Sequence, residues 1–240
     1  MLASGDVTAT TFLIGGGWDE RASGVLYGPF LAAAGSRPTV ACLLVDEGDG
    51  AADFVRYAAA LRRAAPCTPV PVLVPLGGAL DPASLEGADG LLVGGGLTPA
   101  YQEVLAPVRA RLPEVPYAGF SAGAAVAARE ALVGGWLAGG VAVCPEEAGE
   151  DLGEVEVRPG LGLVPWTVEV HAAQWGTLAR LVEAVRQRES PGVAIDENTL
   201  LTVDSDSGRA RVSGLGRVHT VRPAGFVRAY RSGESFGLSM

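Results

Sequence analysis

Four near-continuous apolar runs, at residues 8–14, 39–45, 70–76 and 88–93, constrain this chain more than any other feature. A run such as Thr39-Val40-Ala41-Cys42-Leu43-Leu44-Val45 has no polar face, so a strand built from it must be covered on both sides. Segments of helical period at 24–34, 51–65 and 99–111 alternate with these runs and supply the cover. Strands alternating with helices imply an α/β fold with a mostly parallel sheet and helices on both faces. Pro71 and Pro75 cannot donate to a ladder, which places 70–76 near a sheet edge. In such sheets the ligand crevice forms at the carboxyl ends of the strands. Gly15-Gly16-Gly17 and Gly94-Gly95-Gly96 both fall there.

Another strand-to-helix joint lies at 115–128, where a short apolar run ends in Gly119-Phe120-Ser121-Ala122-Gly123 and an alanine-rich helical segment follows. This is the G-x-S-x-G spacing of a nucleophile elbow, in which the glycines permit a turn sharp enough to lift the serine hydroxyl clear of the sheet. Ser121 would stand at a helix start, where unpaired N–H groups favour developing negative charge. The competing reading is an ordinary small-residue turn. Gly15-Gly16-Gly17 does not continue into a dinucleotide fingerprint, because Glu20 stands where a third glycine should fall.

A serine nucleophile needs a base and a group to orient it. The chain offers only two histidines. His171 follows an expected strand at 167–170 and precedes an expected helix at 177–187, which suits the rim. His219 lies in an alternating segment between Arg217 and Arg222, which suits an exposed strand face. The acid is open among Glu169, Asp196, Glu197, Asp204 and Asp206. Glycines at 94–96 would let backbone N–H groups approach a substrate oxygen, forming an oxyanion hole with the Ala122 N–H.

Charge and composition remove other chemistries. The net charge of −9 opposes nucleic acid and anionic membrane as partners. All 18 cationic residues are arginines, so Ser–Lys dyads, Schiff bases and P-loop lysines are excluded. Three scattered cysteines, Cys42, Cys67 and Cys144, fit a reduced interior and make no zinc or redox motif. No cofactor and no metal are expected. Neither a signal peptide nor a membrane-spanning run is evident, and the expectation is a cytoplasmic protein. With no linker and no repeat, residues 1–240 read as a single domain, closing in short antiparallel strands at 200–203, 210–212 and 217–221.

Four of these segments together resemble the S51 serine peptidases, the family of aspartyl dipeptidase (peptidase E) and cyanophycinase. They are Gly119 to Ala124 around Ser121, Val93-Gly94-Gly95-Gly96-Leu97-Thr98, Gly160-Leu161-Gly162-Leu163 leading to His171, and Ile195-Asp196-Glu197-Asn198-Thr199. The resemblance implies a class I glutamine amidotransferase-like (flavodoxin-like) fold with a C-terminal antiparallel extension. It also implies Ser121 as nucleophile, His171 as base and Glu197 as third member, with Asp196 the runner-up. Gly95 and Ala122 would form the oxyanion hole, Gly96, Leu97, Thr98, Gln174, Trp175 and Thr177 would contact substrate, and a homodimer would be common.

The chain departs from that pattern at specificity positions. Of the arginines that follow the histidine in cyanophycinase-like members, only Arg180 remains. Thr177 stands where aspartyl dipeptidases place a carboxylate-binding arginine, and a hydroxyl cannot replace a bidentate guanidinium. Leu97 and Trp175 suggest a less charged pocket. The expectation is a serine peptidase acting on short peptides, an exopeptidase not strictly selective for aspartate. Its alternatives are an aspartyl dipeptidase or cyanophycinase proper, an α/β-hydrolase esterase using Ser121, Asp196 and His219, and a non-catalytic small-molecule binding homologue.

Overall fold

The computed structural model describes residues 10–204 and 206–237. The first half alternates as expected: β1 (Thr10–Ile14), α1 (Ser23–Ala34), β2 (Thr39–Asp46), α2 (Gly50–Ala64), β3 (Thr68–Pro75), β4 (Gly90–Val93), α3 (Thr98–Leu105), β5 (Tyr117–Phe120) and α4 (Ala122–Val126). Thr8 and Ala9 of the expected first strand lie outside the described residues, as does Ser205 in a later turn. Two helices are shorter than their patterns. Pro107 lacks the N–H that α3 would need and would crowd a carbonyl one turn back, so 106–111 continues only as a 3-10 turn. The alanine-rich α4 stops at Val126, because the carbonyls of Val126, Ala127 and Ala128 accept N–H groups from 161–164 instead.

The second half is richer in strands than its sequence suggests. It runs through β6 (Glu130–Gly134), β7 (Leu137–Ala138), β8 (Val141–Ala142), β9 (Glu156–Pro159), β10 (Thr167–Val170), α5 (Leu178–Arg188), β11 (Gly192–Ile195), β12 (Thr199–Asp204), β13 (Arg209–Gly214), β14 (Arg217–Val221), β15 (Val227–Arg231) and β16 (Ser235–Gly237). The main sheet has eight strands in the order β16-β13-β12-β1-β5-β4-β2-β3. Its β1-β5-β4-β2-β3 portion is parallel, and β12, β13 and β16 extend it antiparallel. The proline-bearing β3 lies at the edge, as expected. A second sheet, in the order β10-β11-β14-β15, is separate from the first.

The apolar runs are explained by what lies on each side. Phe12 and Ile14 with Val40, Cys42 and Leu44 pack under Leu26, Phe30 and Leu61 of α1 and α2. The alternate residues Leu13, Ala41, Leu43 and Val45 face a core shared by α3, α4 and the strands β10 and β11. Helices thus cover both faces, but one face is shared with the second sheet. The outer side of that sheet is closed by Leu181, Ala184 and Val185 of α5. Among the described residues no helix is long and apolar enough to cross a membrane.

A buried ion pair joins the 135–150 region to this second layer. Glu169 on β10 receives Arg180 of α5 in a two-pronged contact, at 2.7 Å from Nε and 3.0 Å from Nη2. The remaining Nη1 donates to the carbonyls of Gly135 and Ala148. The arginine retained from the resemblance therefore faces the interior and organises backbone. Arg180→Ala would strand the Glu169 carboxylate in the core and is expected to cost about 3–5 kcal/mol in urea unfolding; a loss under about 1 kcal/mol would show that the pair carries little of the fold.

Candidate active site

Ser121 sits at the junction of β5 and α4 with φ 52° and ψ −112°, outside the regions an L-residue ordinarily favours. The two elbow glycines make that turn passable. A Cβ on Gly119 would overlap the Gly123 carbonyl, and one on Gly123 would overlap the carbonyl of Val93. His171, just after β10, has φ 53°, and Asn198, three residues past the end of β11, has φ 53°. Three consecutive carbonyls at the end of β1 hold these strained positions. Ser121 N–H donates to Ile14 at 2.9 Å, His171 N–H to Gly15 at 3.0 Å, and Asn198 N–H to Gly16 at 2.7 Å.

The side chains then form a continuous relay. Ser121 Oγ lies 2.8 Å from His171 Nε2, and His171 Nδ1 lies 2.8 Å from Glu197 Oε1. A proton on Nδ1, donated to Glu197, leaves Nε2 free to accept from the serine hydroxyl. Burial lowers the His171 pKa, and the Glu197 carboxylate offsets only part of that shift. Trp175 stacks on the imidazole at 3.9 Å between ring centroids and 6° between planes. Glu197 is anchored by its own N–H, which donates to Gln174 Oε1 at 2.9 Å. The first glycine loop is the seat of His171, since a Cβ on Gly16 would overlap its ring.

Asp196 and His219 belong to a different cluster. His219 Nε2 stands 3.5 Å from Asp196 Oδ1, and Asp196 also accepts from the N–H groups of Ala173 and Arg217. Burial raises the Asp196 carboxyl, but the bonds from His219 and the two backbone donors outweigh it and hold it below the usual range. Ser121 is thus bonded to His171 while His219 is paired elsewhere, an arrangement unlike an esterase triad of Ser121, Asp196 and His219.

Three expectations about the surrounding residues need correction. The Gly95 N–H, expected to face an oxyanion, donates instead to the buried Tyr57 hydroxyl at 2.7 Å, and the Gly95 carbonyl accepts from Tyr101 at 3.0 Å. The N–H groups of Ala122 and Gly96 have no acceptor among the described residues. Thr177 is fully buried and its hydroxyl donates to the Val170 carbonyl, so it turns away from substrate. Thr98 is also buried, and it is turned to Glu150, whose Oε2 accepts from the Thr98 N–H at 2.9 Å. Gly96, Leu97 and Trp175 line the opening around Ser121, while the Gln174 side chain accepts from the Glu197 N–H.

That opening is a cleft of about 600 Å³, and it is not the less charged pocket expected from Leu97 and Trp175. Glu47, Glu146, Glu147, Glu150 and Asp151 line it together with Trp136. Burial pushes the Glu150 carboxyl up to about 7, against the opposing pull of the Thr98 N–H and Arg180. These residues escaped the sequence reading, although the acidic stretch Glu146-Glu147 and Glu150-Asp151 was visible there; nothing local connects it to Ser121. Among the described residues no group of three or more His, Cys, Asp or Glu is arranged to hold a metal ion.

No protein-family model and no curated protein sequence matches the chain. Its fold does match solved structures. One is a peptidase from an acI-B1 Actinobacterium, 17% identical with a TM-score of 0.68, covering 96% of this chain and 97% of that one. Another is a candidate peptidase E protein from Listeria monocytogenes EGD-e, 14% identical with a TM-score of 0.57, covering 87% of this chain and 99% of that one.

Gly16→Ala gives a direct test of the seat described above. Displacing the imidazole by about 1 Å should slow reaction of Ser121 with a fluorophosphonate about 100-fold, while far-UV circular dichroism stays unchanged. The α/β architecture expected from the apolar runs is therefore the architecture found, and it is the fold of peptidase E-like structures.

Proposed function

We propose that the protein is a serine peptidase of the S51 type that hydrolyses short peptides through an acyl-enzyme on Ser121. The observation that carries this reading is the unbroken relay from Ser121 through His171 to Glu197, with both links at 2.8 Å. In the proposed reaction, Ser121 Oγ attacks the scissile carbonyl as its proton passes to His171 Nε2. Glu197 keeps the ring in the required tautomer and stabilises the imidazolium. His171 then protonates the leaving amine, and later takes a proton from the water that releases the acyl group. The Ala122 N–H and the Gly96 N–H are the proposed donors to the tetrahedral oxyanion. Neither has an acceptor among the described residues, so neither must break such a bond to serve.

The fold shared with two structures named as peptidases supports the same reading. Exopeptidase action is part of the proposal, and comparing free with N-acetylated peptides tests it. Ser121→Ala and His171→Ala should each abolish hydrolysis and fluorophosphonate labelling, whereas His219→Ala should leave both in place. Labelling that survives His171→Ala and disappears in His219→Ala would overturn the assignment. The pH profile carries a further expectation. The base works only when neutral, and a lowered His171 pKa keeps it neutral further into acid. The acid limb of kcat/KM should therefore lie below the ordinary imidazole value of about 6.5.

A further inference from the structure

The cleft beside Ser121 is a site because it contains the nucleophile, and its walls define what charge can enter. Five acidic side chains line it and no arginine does, in a chain with 18 arginines; Arg56, paired with Asp53 and lying over Trp18, borders a separate, smaller opening that also reaches Ser121 and His171. The five arrive from two places: Glu47 just after β2, and Glu146, Glu147, Glu150 and Asp151 from the segment between β8 and β9. Arg180, whose guanidinium reaches that segment at the Ala148 carbonyl, is turned inward and already committed to Glu169 and to backbone carbonyls.

From this arrangement we infer that the cleft selects peptides bearing a cationic side chain, guanidinium or ammonium, next to the scissile bond. The inference rests on the serine-peptidase reading for the identity of the reacting atom, but not for the sign of the charge. Three observations separate it from a generic acidic surface. The carboxylates do not converge tightly enough to form a metal-binding group, which suits an extended organic cation. The cavity, at about 600 Å³, has room for a long side chain as well as the peptide itself. Trp136 and Trp175 add flat aromatic walls, surfaces on which a guanidinium plane stacks well.

Two of the carboxylates are held in place by backbone donors. Glu47 accepts from the Leu97 N–H at 2.8 Å, and Glu150 from the Thr98 N–H. The loop that follows the Gly94-Gly95-Gly96 turn is thus fastened to the acidic wall from both sides, and the wall borders the reacting centre. The same charges should repel an aspartate side chain. This reverses the preference that an arginine at position 177 would confer, and the buried Thr177 supplies no compensating cation.

Binding of four dipeptides to Ser121→Ala tests the inference without turnover: Arg-Ala, Ala-Arg, Leu-Ala and Asp-Ala, measured by calorimetry. All four carry the same free termini, so only the side chain differs. At least one arginine dipeptide should bind about tenfold tighter than Leu-Ala, the size expected of two or three partly exposed ion pairs. Asp-Ala should bind weakest, and the difference should shrink as salt is raised. Glu147→Gln with Asp151→Asn, which leaves the Glu47 and Glu150 anchors intact, should lower the Arg-to-Leu ratio severalfold. Equal binding of arginine and leucine dipeptides, tighter binding of Asp-Ala, or no binding of any would overturn it. Wild-type turnover reports separately on the reaction: selective arginine binding without hydrolysis or labelling would keep the cleft inference and remove the peptidase. Hydrolysis without selectivity would do the reverse.

Discussion

Everything at the active site depends on the end of β1. Ile14, Gly15 and Gly16 present three successive carbonyls, and these accept the N–H groups of Ser121, His171 and Asn198. Each of those three residues has a positive φ, a conformation that persists only where the surroundings over-determine it. The hydrogen bonds supply that determination, and the glycines supply the room. At Gly16, Gly119 and Gly123 the space of a side chain is already filled by the imidazole or by a neighbouring carbonyl. One short strand end thus gathers segments that are 50 and 77 residues apart from the elbow onward, by the numbering of Ser121, His171 and Asn198.

This hub also explains what could be read in advance. The parallel sheet was legible because strands buried on both faces leave continuous apolar runs, as at 39–45. The elbow was legible because its glycine spacing is a local steric requirement. With only two histidines in the chain, the histidine that meets Ser121 was nearly enumerable. Gly15-Gly16-Gly17 was visible as a loop, but its role as the seat of His171 depends on a residue 155 positions away in sequence from Gly16 and could not be inferred locally.

What stayed illegible depends on which segments meet. The short strands between 130 and 159 have no periodic signature strong enough to assign, and the expected strands at 167–170 and 217–221 carry no local sign that they join β11 and β15 in a separate sheet. Thr177 and Arg180 sit in the expected helical region, yet their burial follows from how that region docks on β10, a fact of tertiary packing. The same docking explains the cleft. Arg180 reaches from α5 to the carbonyl of Ala148, so it fixes the middle of the acidic segment, while its partner Glu169 lies on the strand that His171 follows. The wall that sets the charge of the cleft and the base beside it are therefore fastened to one strand. A substitution at this pair should disturb affinity and alignment together.

The stacking of Trp175 on His171 has a consequence of its own. An indole face carries partial negative charge, so it attracts a cation placed over it. Burial favours the neutral imidazole at rest, and in the proposed reaction the ring becomes positive only while it carries the serine proton. Trp175 therefore interacts weakly with the resting base and more strongly with the charged one. Glu197 steadies that charge in the plane of the ring, and Trp175 steadies it from above, from a position that leaves the indole partly open to solvent. The residue that walls the cleft would thus also favour the charged state of His171 that the proposed proton transfer passes through.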